Sequence, residues 1–134
     1  MALDALQLAR LGVPVRLAEM RPVSGSPVHR GDALAQIVCS NSLKSTEPAT
    51  ASGVLKQELD ALGCRLLDAA RVCAVPAGSA LAVDRDAFSL EVAGRLAAAG
   101  VTVDRGPVET LPVIEGHLWL VATGPLTSAA LVEE

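Results

Sequence analysis

Aromatic residues are almost missing from this sequence: one Phe, one Trp and no Tyr in 134 residues. That excludes the stacked aromatic platforms on which single-stranded nucleic acids are read. A basic run is missing too, and the formal net charge is −4. Strong binding of a polyanion such as DNA by this chain alone is therefore not expected. No apolar run is long enough to span a bilayer, so no membrane association is expected. The N-terminus lacks a charged start followed by an apolar stretch, so no secretory leader is readable. The three cysteines, Cys39, Cys64 and Cys73, form neither a C-x-x-C pair nor a Cys/His cluster, and no metal site is expected. An odd, widely spaced set of thiols fits the reduced state of a cytoplasm.

What is present is apolar: 51% of the residues, mostly Ala, Leu and Val, enough for the core of one domain. "ALDALQLARLG" (2–12) predicts a helix, apolar almost all round, closed by Gly12. "VPVRLAE" (13–19) predicts a strand with Val13, Val15 and Leu17 alternating. Residues 20–50, rich in Pro, Ser, Gly and Thr, read as mostly irregular. "SGVLKQELDALG" (52–63) predicts a helix with Val54, Leu55, Leu59 and Leu62 as its apolar stripe and Lys56, Gln57 and Asp60 opposite. Helical character extends to about Val72.

A short extended run at 79–83 then enters a helix capped by Asp84 or Asp86. Phe88, Val92 and Leu96 recur at four-residue spacing along it, Glu91 and Arg95 form an i,i+4 pair, and Gly100 closes it. "VTVDR" (101–105), "VETLPVI" (108–114) and "HLWLVAT" (117–123) read as strands, the last of them buried, followed by a loop and the start of a helix. This alternation predicts an α/β domain around a mainly parallel sheet.

Two local signals bear on function. Glu19 ends the strand 13–19. In dinucleotide-binding folds an acid at that place accepts hydrogen bonds from ribose hydroxyls, about 20 residues beyond a glycine-rich turn. The plain alternative is an exposed strand-end acid. "LVATGPLTS" (120–128) places Gly124 where backbone can approach a ligand, or where a Gly-Pro turn simply follows a strand. Cys39, in "IVCSNSLKST" (37–46), is either a small buried hydrophobe or a thiol held out of a polar loop beside Ser40, Asn41, Ser42 and Lys44. Cys64 and Cys73 read as packing residues. His29 lies in the Pro-rich loop beside Arg30 and either faces a cofactor or is solvated. His117 reads as exposed. Asp84 and Arg85 read as a helix cap with a neighbouring surface ion pair.

Four blocks, "GVPVRLAEMRP" (12–22), "VCSNSLKS" (38–45), "VPAGSALAVDRDAFS" (75–89) and "VATGPLTS" (121–128), resemble in order and spacing the N-terminal FAD-binding region of the folate- and FAD-dependent tRNA (uracil-5-)-methyltransferases, the TrmFO family, relatives of GidA/MnmG. The resemblance implies an incomplete Rossmann-like FAD-binding domain over 1–134, without the family's first strand and G-x-G-x-x-G loop and without its C-terminal part. It implies methylation of a T-loop uracil of tRNA at C5, with 5,10-methylenetetrahydrofolate as carbon donor, FAD as redox cofactor and NAD(P)H as reductant. tRNA and folate are the implied partners, tRNA mainly through other regions. Carried over by motif, Glu19, Met20 and Arg21 lie at the FAD ribose, Val108 near the adenine, and Thr123 and Gly124 near the pyrophosphate or ribitol. Cys39 is the implied catalytic thiol. The alternatives are a GidA/MnmG-like tRNA-modifying flavoprotein and a non-catalytic α/β interaction module.

Overall fold

The computed structural model describes residues 2–23, 31–124 and 127–133. Its elements run α1 (Ala2–Arg10), β1 (Arg16–Glu19), β2 (Ser42–Ser45), α2 (Ala51–Ala61), α3 (Arg65–Val72), β3 (Ala74–Val75), β4 (Ala80–Val83), α4 (Arg85–Ala98), β5 (Thr102–Arg105) and α5 (Ala129–Glu133). β1 and β5 pair in parallel, Arg16 opposite Thr102 and Glu19 opposite Arg105. β2, β4 and β3 form a second, antiparallel sheet in that order. The class is α/β, as expected.

The two parallel strands are delivered by the same device. α1 ends at Gly12 (φ +77°) and α4 at Gly100 (φ +72°). At each end the glycine N–H donates three residues back, to Ala9 and Ala97, and the next N–H donates five back, Val13 to Leu8 at 3.1 Å and Val101 to Leu96 at 3.0 Å. That double bond closes a helix with a left-handed residue, where a Cβ is costly. Each chain then turns directly into a strand. α4 shows its predicted stripe: Phe88, Val92 and Leu96 are essentially inaccessible, in a core with Leu6, Leu17, Leu34, Leu67, Leu81, Val83 and Val101. Each such side chain contributes about 1.5–3 kcal/mol by burial. Asp84 caps α4, its carboxylate accepting from the Ala87 N–H at 2.9 Å, and Arg95 bonds Glu91 at 2.8 Å.

The structure differs from the sequence reading in four places. The long helix breaks at Gly63–Cys64 into α2 and α3. The interval 20–50 contains β2, hydrogen-bonded to β4 with an irregularity between Ser42 and Ser45. α2 is turned: Val54, Leu55 and Leu62 are exposed while Lys56, expected on the polar side, is buried. The cause is polar pinning of the helix start onto β2. Thr50 Oγ1 accepts from the Gly53 N–H at 3.1 Å, and Lys56 Nζ donates to the carbonyls of Ser45 at 3.0 Å and Ser52 at 3.2 Å. The Cα of Gly53 lies so close to the Glu47 carbonyl that a Cβ would fall 1.9 Å from its oxygen.

Fourth, 108–114 and 117–123 form no strand. Leu118 is fully exposed and Trp119 about half so. A strand needs a ladder partner for its backbone. This stretch bonds to itself instead, the His117 N–H to the Ile114 carbonyl at 3.0 Å and Trp119 Nε1 to the Pro112 carbonyl at 3.0 Å.

Candidate functional site

The carboxyl end of β1 carries the first cluster. Alternation along β1 puts residues 17 and 19 on one side, Arg21 lies in the turn that follows, and Leu17, Glu19 and Arg21 are all buried. Glu19 is therefore not an exposed strand-end acid. Arg21 holds it in a fork, Nε to Oε1 at 2.8 Å and Nη2 to Oε2 at 2.9 Å, and the Arg21 N–H adds a third bond to Oε1 at 3.1 Å. Planar guanidinium matches carboxylate in this way. Burial alone would raise the Glu19 carboxyl, but the Arg21 hydrogen bonds and the charges of Arg21 and Arg105 outweigh it and leave it below its ordinary value. The bond to Glu19 raises Arg21 in turn.

β5 completes the cluster. Arg105, opposite Glu19 in the parallel register, donates to the carbonyls of Arg21 at 3.1 Å and Asp32 at 2.7 Å. The Gly106 N–H donates to the Glu19 carbonyl at 2.9 Å. Met20 is half-buried between the paired residues, and Val108, half-buried, follows three residues after Arg105.

Two features suit a bound nucleoside. Among the described residues Glu19 Oε2 accepts one bond, and a carboxylate oxygen accepts two. Among the described residues Arg21 Nη1 is a buried donor with no hydrogen-bond partner. A buried unpaired donor is uncommon and marks a place where an acceptor belongs. A carboxylate and a guanidinium so placed could hold a ribose-bearing cofactor.

The Cys39 loop forms the second cluster, at the β4–α4 junction. Cys39 is exposed, whereas Cys64 is buried in the core and Cys73 is half-buried. Burial pushes the Cys73 thiol up, with Glu91 and Asp84 adding to it. Arg85 Nη2 donates to the Cys39 carbonyl at 2.6 Å. Asn41 is tied both ways to Val83, its Nδ2 donating to the Val83 carbonyl at 3.1 Å and its own carbonyl accepting from the Val83 N–H at 2.9 Å. An open cleft of about 520 Å³ lies beside it, lined by Asn41, Val75, Val83, Asp84, Arg85 and Asp86. The sequence reading gave Arg85 a surface ion pair. It reaches a backbone carbonyl 46 residues away instead, and no local pattern signals that.

Thr123 and Gly124 belong to a third place. The hydroxyls of Thr123 and Thr127 are hydrogen-bonded, and Thr127 donates to the Gly124 carbonyl at 2.7 Å. Gly124 is left-handed (φ +68°) and exposed, with nothing within 4 Å of where a Cβ would sit. Its backbone angle, not crowding, calls for glycine. His117 is exposed as expected, its Nδ1 3.1 Å from the Glu115 carbonyl. His29 lies outside the described residues. Among the described residues no three His, Cys, Asp or Glu side chains gather as for a metal, and no helix is long and apolar enough to cross a membrane.

The glucose inhibited division protein A family model matches residues 4–133. The methylenetetrahydrofolate–tRNA-(uracil-5-)-methyltransferase TrmFO of Myxococcus xanthus is 51% identical over 131 residues, 97% of this chain and 28% of that protein. The protein of the same name from Bacillus subtilis is 49% identical over 128 residues, 95% of this chain and 29% of its own length. That of Pseudothermotoga lettingae is 47% identical over 124 residues. The chain thus spans less than a third of the length of these curated relatives. With a match over nearly every residue, the chain belongs to the glucose inhibited division protein A family.

Proposed function

We propose that this chain is the FAD-holding part of a methylenetetrahydrofolate-dependent tRNA uracil-C5 methyltransferase. The observation that carries the reading is the buried Glu19–Arg21 fork at the end of β1, in a chain about half identical to TrmFO proteins. The names of these relatives favour methyl transfer over other tRNA modification.

In this reading Glu19 accepts a ribose hydroxyl at Oε2, and Arg21 Nη1 donates to a neighbouring acceptor of the same nucleoside. Arg105 holds the backbone at Arg21 and at Asp32 in place. Met20 and Val108 offer apolar flanks beside the adenosine. Thr123 and Gly124 line the approach to the pyrophosphate or ribitol. Bound FAD, re-reduced by NAD(P)H, supplies the electron pair that takes the transferred one-carbon unit from the methylene to the methyl level.

Uracil C5 becomes a nucleophile when a thiolate adds to C6. The C5 carbon then attacks the folate methylene, the C5 proton leaves to a base, the methylene–nitrogen bond breaks to release tetrahydrofolate, and a hydride equivalent brings the methylene to the methyl level as the thiolate departs from C6. Cys39 is the exposed thiol of the three, and it serves the reacting centre either by adding to C6 or by standing against the flavin. The protein acts in the cytoplasm, where its three thiols stay reduced.

The test is a chimera: residues 4–133 replace the matched segment of the Myxococcus xanthus relative. FAD per polypeptide and methyl transfer to unmodified tRNA are measured. Near-stoichiometric FAD and transfer to uracil C5 support the reading. A folded chimera without FAD overturns it.

A further inference from the structure

Arg85 is unused by the function proposed above, yet its side chain is committed. It is the first residue of α4 and lies between Asp84 and Asp86. Either carboxylate is a near neighbour in sequence, and Asp84 is spent on capping the helix. Arg85 sends Nη2 across the junction to the carbonyl of Cys39 at 2.6 Å. The site is exposed, so water could satisfy that carbonyl as well. An exposed contact of this kind adds little to stability, and ordering a long side chain to make it costs rotamer entropy. Its consequence is positional.

The loop around the thiol is held on both sides of Ser40. On one side Asn41 is tied by two bonds to Val83. On the other Arg85 takes the Cys39 carbonyl. The Ser40 hydroxyl accepts from the Ser42 N–H at 3.4 Å between them. Val83 is fully buried, and Asp84 is fixed from behind by its N–H bond to the Cys73 carbonyl at 2.9 Å. The anchor is therefore rigid core, and the loop inherits its position. Of these contacts only the Arg85 bond grips Cys39 itself. It fixes the direction of the Cys39 peptide plane and so the line along which Cα–Cβ projects.

We propose that Arg85 is a positioning residue for the Cys39 thiol, setting through the Cys39 carbonyl the direction in which Sγ meets the reacting centre. This rests on the reading of Cys39 as a working thiol. A misplacement of about 1 Å at a reacting group can cost a hundredfold in rate, so the bond matters far more to turnover than to folding.

The experiment uses the chimera and scores kcat per bound flavin, so unfolded or flavin-free molecules are not counted. Arg85→Ala is expected to lower kcat by at least about tenfold, with the KM for tRNA and the flavin content unchanged. Arg85→Lys keeps the stem and the charge but loses the planar fork, and it is expected to recover part of the loss. If Cys39→Ala is itself fully active, the reading of Cys39 falls and the proposal with it. If Cys39→Ala is inactive while Arg85→Ala and Arg85→Lys keep the parent kcat, the reading of Cys39 stands and the role of Arg85 is overturned. A rise in KM with unchanged kcat overturns it as well, because that is loss of binding rather than of aim.

Discussion

Arg21 grips Glu19 by both carboxylate oxygens, at 2.8 and 2.9 Å, with both residues about 95% buried. The pair closes the end of β1 and presents a cofactor contact at once. Arg21→Met leaves the carboxylate buried without its partner. Removing one member of a buried pair costs about 3–5 kcal/mol. A large fall in the denaturant midpoint is expected, and a change under about 1 kcal/mol would show that water relieves the carboxylate.

Acid should reach the same pair. The folded Glu19 carboxyl lies below its ordinary value of 4.5. A depressed carboxyl stabilises the fold fully above its unfolded value and loses that contribution as pH falls through the folded one. Thermal stability attributable to the pair should hold from pH 7 down to about 4.5 and decline below it. Glu19→Gln, measured by melting across this range, should lower the plateau and flatten the acid limb. An acid limb as steep as the parent's would assign acid loss to other carboxylates, of which Asp60 beside Arg71 is the first candidate.

Two glycines in helices should respond oppositely to alanine. Gly94 in α4 has open space around its missing Cβ, so Gly94→Ala should stabilise by about 1 kcal/mol through helix propensity. At Gly53 the same Cβ meets the Glu47 carbonyl carbon at 2.6 Å and its oxygen closer still. Overpacking against backbone costs about 1–3 kcal/mol, so Gly53→Ala should destabilise. Paired chemical melts check the sign at each site.

Much of the fold is visible in local pattern. The 88/92/96 stripe, the Asp84 cap and the helix-closing Gly12 and Gly100 are short-range features, and each appears where the spacing put it. The face of α2 was not legible, because polar bonds from Ser45, Thr50 and Ser52 decide it against a weak apolar stripe. Nor was the state of 117–123. Apolar alternation records a demand for cover, whereas a strand also needs a partner edge. In the site, the place of Glu19 at the end of β1 was legible, its burial was not. The fork was not legible either, because Arg21 lies in the turn beyond β1 and its own N–H bends back onto the Glu19 carboxylate. The Arg85 bond to Cys39 joins residues 46 apart, and nothing short-range encodes it.

The three thiols should separate by access. Cys39 is exposed, Cys64 is in the core and Cys73 is half-buried with its thiol pushed up. Alkylation of the native chain, followed by peptide mass spectrometry, should label Cys39 first and Cys64 only on unfolding. Equal labelling of Cys39 and Cys64 under native conditions would contradict this packing.

The central claim is that this chain holds FAD and offers Cys39 to uracil methylation. The most direct measurement is methyl transfer from methylenetetrahydrofolate to unmodified tRNA by the flavin-loaded chimera, comparing Cys39→Ala with Cys64→Ala. Cys39→Ala should abolish transfer with its flavin spectrum intact, while Cys64→Ala transfers normally apart from a stability loss of the cavity type. Near-normal transfer by Cys39→Ala would contradict the account.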